Sequence, residues 1–568
     1  MDYKERYKQW LDSPAIREEE REALMAMEEE ERREAFFQEL SFGTGGLRGV
    51  MGLGSGRINR YTVMRAAEGL ARYLLKNMKE IKSSGIAIAF DSRKYSKEFA
   101  LEAALVLCSN GIKTYLFRSC RPTPELSFTV RYLGCTAGIV ITASHNPSIY
   151  NGIKVYGSDG GQITLTMAED IMEEISKVEV LEERKTITER EAVEEEVLYY
   201  IGEEMDKRYI NRIEKLSILK KGEARDIRII YTPLHGTGLI PVTSILVKLG
   251  YYRIFLVNSQ ILPDGNFPTV KAPNPEEKAA FEEAIKVAEK EEGDIILATD
   301  PDCDRVGVAV RNSEGEYILL TGNQIGALLC KYLLSSENNI DEKTAIIKTI
   351  VTSDLGERIA EKYGASVFNT LTGFKFIGEK IKEFEEKGDY KFLFGYEESF
   401  GYLSGTFVRD KDAVIASMLI VDMAQSYKNQ GLNLLEAMEE IYKEYGYYID
   451  FLDTYILKGF EGVMKINNIM EELRRVDSIL RNFGDLKVLE DYKNQKRYFV
   501  ESYEEEEIKL PISDVIKLHF RDGSWLAVRP SGTEPKLKLY YSVKGSTREE
   551  GQQRLEALRG KLKFIINI

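Results

Sequence analysis

Three aspartates at alternate positions are the part of the sequence that points most directly to chemistry. Asp300, Asp302 and Asp304 lie in DPDCDR, directly after an apolar run, DIILAT, that is typical of a buried strand. Crowded carboxylates repel one another unless they share a cation, and Mg²⁺ prefers oxygen ligands of this kind. An EF-hand is excluded, because Arg305 takes the place of the glycine that its loop requires. We expect a magnesium site here rather than a solvated acidic turn, with Arg305 placed to grip a phosphate.

A second polar loop, TASHNP, follows the apolar run AGIVIT and contains a candidate nucleophile, Ser144. The loop lacks the G-x-S-x-G context of α/β-hydrolases, and a lone serine there is typical of a helix cap or a turn. Lys154 lies ten residues further on, where a hairpin could return its ammonium group to the serine. His145 fits a turn residue bonded to backbone as well as it fits a proton-transfer role.

Two further loops offer groups that bind anions or sugars. SFGTGGLRG places Arg48 between glycines, where backbone can approach an anion, although a flexible turn is the alternative. GYEESFG brings Glu397 and Ser399 to a strand end, where a carboxylate can accept hydrogen bonds from vicinal hydroxyls; a capping box or acidic turn explains it equally well. Further donors are expected nearby from Thr372, Gly373, Lys375 and Lys411.

The last polar loop, RPSGTEP, lies between two apolar runs near the C-terminus. A guanidinium group, two hydroxyls and exposed backbone N–H groups suit a phosphate dianion, whereas a plain tight turn is the alternative. The residues expected to bind this phosphate are Arg529, Ser531, Gly532 and Thr533.

Strands and helices must alternate to position these loops. From about residue 85 the pattern is typical of parallel α/β sheets, with helices predicted over 98–108, 275–292, 374–387 and twice between 413 and 444. Residues 1–40 have amphipathic helical spacing, and 189–220 is interpreted as one long charged helix at a boundary. The last hundred or so residues predict an antiparallel α+β module. Because ligands bind beyond the carboxyl ends of strands, three domains could present loops to one shared cleft.

Composition limits the class of protein. The chain has 568 residues, 43% of them apolar and 30% charged, which predicts several globular domains. A net charge of −14 argues against nucleic acid as a partner, and no apolar run approaches the roughly 18–20 residues of a membrane span. The charged N-terminus and the odd number of cysteines, five, favour a cytoplasmic protein without disulfides.

Taken in order, the motifs resemble those of the α-D-phosphohexomutase superfamily. The resemblance covers nearly the whole chain, and YEESFG, TGFKFIG and the long N-terminal extension are most similar to its branch of phosphoglucomutases and phosphopentomutases. It implies an α/β fold class, with three related mixed α/β domains and a C-terminal α+β domain around one central cleft. We expect these domains at residues 1–208, 209–320, 321–450 and 451–568.

The resemblance also implies a role for each candidate residue. Ser144 would carry a phosphoryl group and bind Mg²⁺ together with the three aspartates. Proton transfer would fall to Arg48 and Lys154, with His145 as a third candidate, and Arg305 would contact ligand beside the metal. The expected substrate-binding residues are Thr372, Gly373, Lys375, Glu397, Ser399, Lys411, Arg529, Ser531, Gly532 and Thr533.

The activity that the resemblance implies is an intramolecular phosphoryl transfer between glucose 1-phosphate and glucose 6-phosphate. It would pass through a phosphoserine enzyme and glucose 1,6-bisphosphate, which would also act as activator, in a monomer or small homo-oligomer. Phosphopentomutase, phosphomannomutase and bisphosphate synthase activities are alternatives, because one changed hydroxyl alters few contacts. Phe400-Gly401-Tyr402 departs from the histidine of phosphomannomutase-type relatives, and Tyr396 stands where many relatives have glycine.

Two other classes of protein remain as hypotheses. A haloacid-dehalogenase-like phosphotransferase would use Asp300 as nucleophile and Asp302 as acid and base, but Asp304 occupies a position where that family expects threonine or valine. A non-catalytic phosphosugar-binding regulator descended from a mutase is the second hypothesis.

Overall fold

The computed structural model describes residues 2–40, 42–43, 46–179, 187–220, 222–457, 459–531 and 536–566. The chain divides into two compact units. Unit 1 consists of Met1–Gly322, Gly373–Gly395 and Ser399–Asn433, and unit 2 consists of Asn323–Thr372, Tyr396–Glu398 and Leu434–Ile568. None of the helices in the described ranges combines the length and apolar character needed to cross a bilayer.

Three short helices begin unit 1, as the amphipathic spacing predicted: α1 (Tyr3–Asp12), α2 (Glu18–Ala26) and α3 (Glu29–Phe36). Their apolar faces bury Trp10, Leu24 and Phe36 against one another. Trp10 also packs edge-on against Tyr61 at a centroid distance of 5.5 Å, which fixes these helices to the helix that follows.

The first sheet of unit 1 has seven strands in the order β1-β2-β6-β5-β3-β4-β7. The strands are β1 (Phe42–Gly43), β2 (Gly46–Val50), β3 (Ile86–Phe90), β4 (Thr114–Phe117), β5 (Ala137–Ile141), β6 (Tyr150–Gly157) and β7 (Leu198–Ile201). The helices are α4 (Arg60–Asn77), α5 (Ile81–Ser84), α6 (Ser96–Ser109), α7 (Thr123–Leu133), α8 (Leu165–Ser176), α9 (Glu189–Glu194) and α10 (Glu203–Ile213). The pairs from β5 to the edge strand β7 (β5-β3, β3-β4, β4-β7) are parallel and the pairs β5-β6 and β6-β2 toward the other edge are antiparallel, so this is a mixed sheet.

The prediction of one long helix over 189–220 is wrong. The strand β7 separates α9 from α10 and pairs in parallel with β4, from Thr114 opposite Leu198 to Phe117 opposite Ile201. Its sequence, LYYI, consists of residues that suit a half-buried strand. The charges that suggested a helix belong to α9 and α10 and to the 3-10 turn Glu214–Leu216.

The second sheet of unit 1 has five strands in the order β12-β11-β10-β8-β9. They are β8 (Ile229–Thr232), β9 (Ile254–Leu256), β10 (Ile295–Thr299), β11 (Val306–Arg311) and β12 (Tyr317–Leu319), with α11 (Leu239–Lys248) and α12 (Glu282–Glu291). The helix predicted over 275–292 begins later than expected, because a turn closed by Glu277 N–H and Asn274 O (3.0 Å) and the 3-10 turn Lys278–Phe281 precede it.

A third run of alternating elements extends from residue 322 to 445. In chain order it comprises α13 (Gly322–Ser336), β13 (Thr344–Thr349), α14 (Leu355–Tyr363), β14 (Ser366–Thr370), α15 (Phe374–Lys387), β15 (Lys391–Glu397), β16 (Gly401–Ser404), α16 (Ala413–Asn429) and α17 (Leu434–Tyr445). β13 and β14 pair in parallel within unit 2. The helices predicted over 374–387 and between 413 and 444 are confirmed.

The C-terminal part of unit 2 is the antiparallel α+β module that the short strands predicted. Its seven strands lie in the order β17-β23-β22-β21-β18-β19-β20. The elements are β17 (Tyr447–Ile456), α18 (Gly459–Leu473), α19 (Val476–Asn482), β18 (Leu486–Asp491), β19 (Lys496–Phe499), β20 (Glu505–Glu507), β21 (Ile516–Phe520), β22 (Trp525–Pro530), β23 (Lys536–Gly545) and α20 (Arg548–Ile566). Leu555 and Leu562 of α20 and Leu526 and Leu539 of the sheet share one core.

Candidate active site

The loop between β5 and β6, residues 142–149, holds Ser144 and is called the serine loop below. The Ser144 N–H donates to the Thr142 hydroxyl at 2.8 Å, and that hydroxyl donates to Asp91 at 2.6 Å. Ser144 adopts a left-handed conformation (φ 51°), which costs a non-glycine residue about 1–3 kcal/mol. The predicted hairpin is present, because β6 runs antiparallel to β5 and places Lys154 opposite Val140.

The loop between β10 and β11 brings Asp300, Asp302 and Asp304, the acidic triplet, to the serine. The Ser144 hydroxyl donates to Asp300 Oδ2 at 2.7 Å. The other oxygen of Asp300 accepts the N–H groups of Asp304 and Arg305, each at 3.0 Å, which folds the loop around it. One oxygen from each aspartate lies within 4.8 Å of the others, and no other group of three acidic, histidine or cysteine side chains in the described ranges converges in this way.

Two lysines lie against the acidic triplet. Lys154 donates to Asp302 Oδ2 at 2.8 Å and to Asp304 Oδ2 at 3.0 Å, and Lys411 lies 3.1 Å from the same oxygen of Asp304. Gly401 makes the second approach possible, because a Cβ there would lie 2.2 Å from Cδ of Lys411. The glycine in Phe400-Gly401-Tyr402, which departs from the histidine-bearing relatives, therefore lets a lysine reach the aspartates.

The carboxyl groups of the acidic triplet differ in pKa. Burial raises the pKa of Asp300 well above its ordinary value, and the negative charges of Asp302 and Asp304 raise it further. Burial alone would also raise the pKa of Asp304, but Lys154 and Lys411 outweigh it and hold that pKa below its ordinary value. Oδ1 of Asp302 and Oδ1 of Asp304 are buried without a hydrogen-bond partner. Buried, unsatisfied carboxylate oxygens at this spacing fit a hard divalent cation such as Mg²⁺.

Two further basic residues border the serine loop. His145 Nδ1 lies 3.2 Å from the Ser144 hydroxyl, and burial together with nearby guanidinium groups holds the pKa of His145 well below its ordinary value. The ring is therefore neutral near neutral pH. Arg48 on β2 is exposed and donates to Asn146 Oδ1 at 3.1 Å. Gly46 (φ 116°) lets β2 lie close to β6, because a Cβ there would lie 2.1 Å from a backbone oxygen.

Arg305 connects the acidic triplet to the loop after β15. Its guanidinium group pairs with Glu276 and donates to the Ser399 carbonyl at 3.0 Å. Ser399 thus lies beside the loop of the acidic triplet, while its use as a sugar ligand stays a prediction. Lys375, at the start of α15, is buried, and burial lowers its pKa.

Gly373, which directly precedes α15 with φ 120°, belongs to unit 1, and the other remaining candidates belong to unit 2; the use of all of them as ligands stays a prediction. The Thr372 hydroxyl is buried and has no hydrogen-bond partner, and the Glu397 side chain is buried at the end of β15. Arg529 is the second-last residue of β22, and the Ser531 N–H donates to the Lys536 carbonyl at 2.8 Å. The other two candidates of this loop, Gly532 and Thr533, lie outside the described residues.

The sequence analysis missed a buried ion pair that supports the serine loop. Arg93 lies beside Asp91, with Nε 3.3 Å from Oδ2, and both side chains are fully buried. Its guanidinium group donates to four backbone carbonyls of the loop and the residue that follows it: those of Ser144, Asn146, Pro147 (2.8 Å) and Tyr150 (3.0 Å). The signal was available, since Asp91-Ser92-Arg93 follows the buried strand β3 in the way that the other polar loops follow theirs.

A second missed residue holds the acidic triplet from the other side. The hydroxyl of Thr123, the first residue of α7, donates to Asp302 Oδ2 at 2.8 Å, and its N–H donates to the Asp302 carbonyl at 2.9 Å. No local pattern indicates this contact, because the two residues lie 179 positions apart in the chain.

Comparison with known families matches almost the whole chain to one family in four consecutive parts. Residues 39–182, 207–315 and 321–445 match α/β/α domains I, II and III of the phosphoglucomutase/phosphomannomutase family, and residues 466–559 match its C-terminal domain. The fold class expected from the sequence, three α/β domains followed by a C-terminal domain, is therefore confirmed.

Individual relatives give the same result. A phosphoglucomutase of Staphylococcus haemolyticus is 42% identical over 524 residues, which are 92% of this chain and 93% of that protein. A phosphoglucomutase of Staphylococcus aureus is 39% identical over 530 residues, 93% of this chain and 94% of that protein.

Solved structures share the fold at lower identity. Pp63/parafusin, a phosphoglucomutase from Paramecium in its open form, has a TM-score of 0.68 at 17% identity and covers 93% of this chain and 96% of its own. A phosphoglucomutase/phosphomannomutase family protein from Burkholderia thailandensis has a TM-score of 0.64 at 17% identity, with 92% and 97% covered. From the four matched domains and the full-length relatives, the chain belongs to the phosphoglucomutase/phosphomannomutase family of the α-D-phosphohexomutases.

Proposed function

We propose that this phosphohexomutase interconverts glucose 1-phosphate and glucose 6-phosphate, with Ser144 as the carrier of the phosphoryl group. The observation that carries the proposal is the 2.7 Å contact between the Ser144 hydroxyl and Asp300 within the acidic triplet. A hydroxyl held at a cluster of buried carboxylates suits phosphoryl transfer, in which the protein mainly aligns groups and stabilises charge. The choice of glucose is supported by the phosphoglucomutases of the two staphylococci, at 42% and 39% identity.

The reaction consists of two transfers in opposite directions. In the first, the bond between phosphorus and Ser144 Oγ breaks and a bond forms to the free hydroxyl of the sugar monophosphate, which loses its proton. The product is glucose 1,6-bisphosphate, which also serves as activator because it phosphorylates an unmodified serine. In the second, the other phosphate of the bisphosphate returns to Ser144 Oγ and the sugar hydroxyl regains a proton. No external donor or acceptor is consumed over the cycle.

The acidic triplet and Ser144 would hold Mg²⁺. When bound, Mg²⁺ offsets the negative charge of the transferring phosphoryl group. Lys154 and Lys411 neutralise the aspartates from the protein side, which limits their mutual repulsion. Proton transfer falls to one of three basic residues around the serine loop: Arg48, His145 and Lys154.

Separate groups would bind the sugar and its non-reacting phosphate. Carboxylate and hydroxyl groups accept and donate hydrogen bonds to sugar hydroxyls, and a guanidinium group grips phosphate. The sugar-binding set is Thr372, Gly373, Lys375, Glu397, Ser399 and Lys411, with Arg305 beside the metal, and the phosphate-binding set is Arg529, Ser531, Gly532 and Thr533. The protein would work in the cytoplasm, as a monomer or small homo-oligomer, without nucleic acid.

A coupled assay on three sugar phosphates tests the proposal. Glucose 1-phosphate, ribose 1-phosphate and mannose 1-phosphate are supplied with Mg²⁺ and glucose 1,6-bisphosphate. We expect the highest kcat/KM on glucose 1-phosphate and no turnover by Ser144→Ala, while Ser148→Ala, in the same loop, serves as the matched control and stays active. Comparable kcat/KM on all three sugars would contradict the glucose assignment, and inactivity on all three would contradict mutase activity.

A further inference from the structure

A cavity of about 440 Å³ lies in unit 1 between α7, α10 and the loop that follows β16. Pockets that bind small organic ligands typically have roughly 300–1,000 Å³. None of the lining residues belongs to the candidate active site. The residues that give the cavity its character are Phe128, Arg131, Tyr132, Arg208, Arg212 and Phe407.

The cavity is cationic. Arg208 and Arg212 are one helical turn apart on α10, so their side chains project from the same face of the helix. Arg208 pairs with the exposed Glu204 at 2.7 Å, whereas Arg212 is exposed and forms no ion pair with any residue of the described ranges. Arg131, on α7, donates to the Asp159 carbonyl at 2.7 Å and lies 3.6 Å from the Glu385 carboxylate, and both contacts orient its side chain. Neighbouring guanidinium groups of this kind suit a phosphate dianion.

Aromatic rings form the rest of the wall. Phe128 and Tyr132 are stacked, with centroids 5.6 Å apart and an interplanar angle of 24°, and Phe407 meets Phe128 edge-on at 6.2 Å. Tyr132 is 45% exposed and carries the Arg208 guanidinium 4.9 Å from its centroid. The Arg212 guanidinium lies 5.4 Å from the Phe407 ring. Guanidinium planes and aromatic faces both stack on flat heterocycles, so this wall suits a planar base.

We propose that this cavity is a second ligand site of the protein and binds a nucleoside monophosphate. The phosphate lies between the two arginines of α10 and Arg131, and the base stacks in the wall that Tyr132 and Phe407 form. Inorganic phosphate satisfies only the cationic half of the cavity and a nucleoside only the aromatic half. A ligand that carries both a dianion and a planar ring satisfies both.

All three walls of the cavity continue into the candidate active site. The α7 helix begins at Thr123, which donates to Asp302 at 2.8 Å. On α10, the hydroxyl of Tyr209 donates to Asp412 at 2.7 Å, next to Lys411. The loop that contains Phe407 leads directly into the same segment. A nucleotide that shifts either helix therefore displaces groups around the acidic triplet, and we expect it to change turnover.

Isothermal titration of the full chain with AMP, GMP, CMP and UMP tests the site, with glucose 1-phosphate present at saturation to occupy the active site. At least one nucleotide should bind. Arg212→Ala and Arg208→Ala should each weaken that binding about tenfold or more, because each removes a charge-assisted contact. Arg190→Ala removes an equally charged, exposed side chain outside the cavity and is the matched control.

Weaker binding of inorganic phosphate and of the free nucleoside, by about tenfold or more, supports the two-part site, since each lacks one of the contacts. The proposal is overturned if no nucleotide binds, if inorganic phosphate binds as tightly, or if both cavity variants bind like the control. A change in kcat/KM with nucleotide that vanishes in Arg212→Ala supports the connection to the active site, and binding without any change in kcat/KM refutes that connection.

Discussion

Replacement of Arg93 by lysine tests whether the serine loop depends on the buried arginine beneath it. The guanidinium group donates to four backbone carbonyls in and next to the loop and lies 3.3 Å from the buried carboxylate of Asp91. The loop holds Ser144 in a left-handed conformation that the backbone does not favour by itself. Arg93 therefore acts on the reaction through the position of the serine and does not need to touch the substrate.

The size of the effect follows from the donors that lysine lacks. Lysine keeps the positive charge that Asp91 requires, but its three N–H groups radiate from one nitrogen and cannot span the four carbonyls that the guanidinium fork reaches. At least one charge-assisted hydrogen bond is lost, which lowers the free energy of unfolding by about 1.5–3 kcal/mol. A misplacement of the serine by about 1 Å lowers kcat about 100-fold. KM for the sugar phosphate should change little, because the Arg93 guanidinium group contacts the loop through backbone carbonyls alone.

Steady-state kinetics and thermal unfolding measured side by side separate these effects. The matched control is Arg65→Lys, because Arg65 also donates to two carbonyls and a carboxylate, those of Ile175, Val178 and Glu39, and none of these belongs to the serine loop. The control should lose stability and keep kcat. A wild-type kcat in Arg93→Lys, or an equal fall of kcat in the control, would refute the positioning role.

Three further predictions concern charge, packing and metal. Burial alone would raise the pKa of Asp354, but Lys348, 2.9 Å away, outweighs burial and lowers that pKa, so the ion pair stabilises the protein above about pH 4 and this stabilisation is lost as the pH falls further. Asp354→Asn should lower the free energy of unfolding near neutral pH by about 2 kcal/mol and should reduce the fall of that free energy between about pH 5 and pH 3. An unchanged dependence of the free energy of unfolding on pH in this range would contradict the prediction. Gly356→Ala should destabilise the protein by about 1–3 kcal/mol in denaturant unfolding, because the added Cβ would lie 2.1 Å from the Tyr396 hydroxyl. Gly484→Ala is the control and should have little effect, because no described atom lies within 4 Å of its added Cβ. Equal effects of the two variants would refute the packing explanation. Mg²⁺ added to EDTA-treated protein should raise the unfolding temperature, because the free energy of unfolding increases by about 2.7 kcal/mol when the Mg²⁺ concentration is about 100 times its Kd. An unchanged unfolding temperature in differential scanning calorimetry would count against a cation at the acidic triplet.

The local parts of the candidate site could be predicted from the sequence. Apolar runs that end in polar loops predicted the strands β5 and β10, and each polar loop directly follows its strand in the structure. The hairpin that carries Lys154 followed from its short spacing from Ser144, since a ten-residue separation after a strand suits a hairpin. These predictions depend on neighbours in the chain, which hydrophobic periodicity and turn residues report directly.

Long-range features could not be predicted in the same way. The contact between Thr123 and Asp302 joins residues 179 positions apart, and it exists because the first residue of α7 meets the loop between β10 and β11 in space, which no local pattern encodes. The strand β7 was hidden by the charged helices on either side, because its four residues are too short a run to establish a period of two. The sequence marked Tyr396 only as a departure from the family pattern, whereas in the structure its ring lies where Gly326 and Gly356 leave room for it.

The identity of the phosphorylated side chain decides whether Ser144 carries the phosphoryl group. Wild-type protein is incubated with glucose 1,6-bisphosphate, digested at low pH and analysed by tandem mass spectrometry, with Ser144→Ala treated in parallel. We expect an acid-stable phosphate on Ser144 in the wild type and no phosphorylated active-site peptide in the variant. A hydroxylamine-sensitive phosphate on Asp300, or phosphorylation that persists in Ser144→Ala, would contradict it.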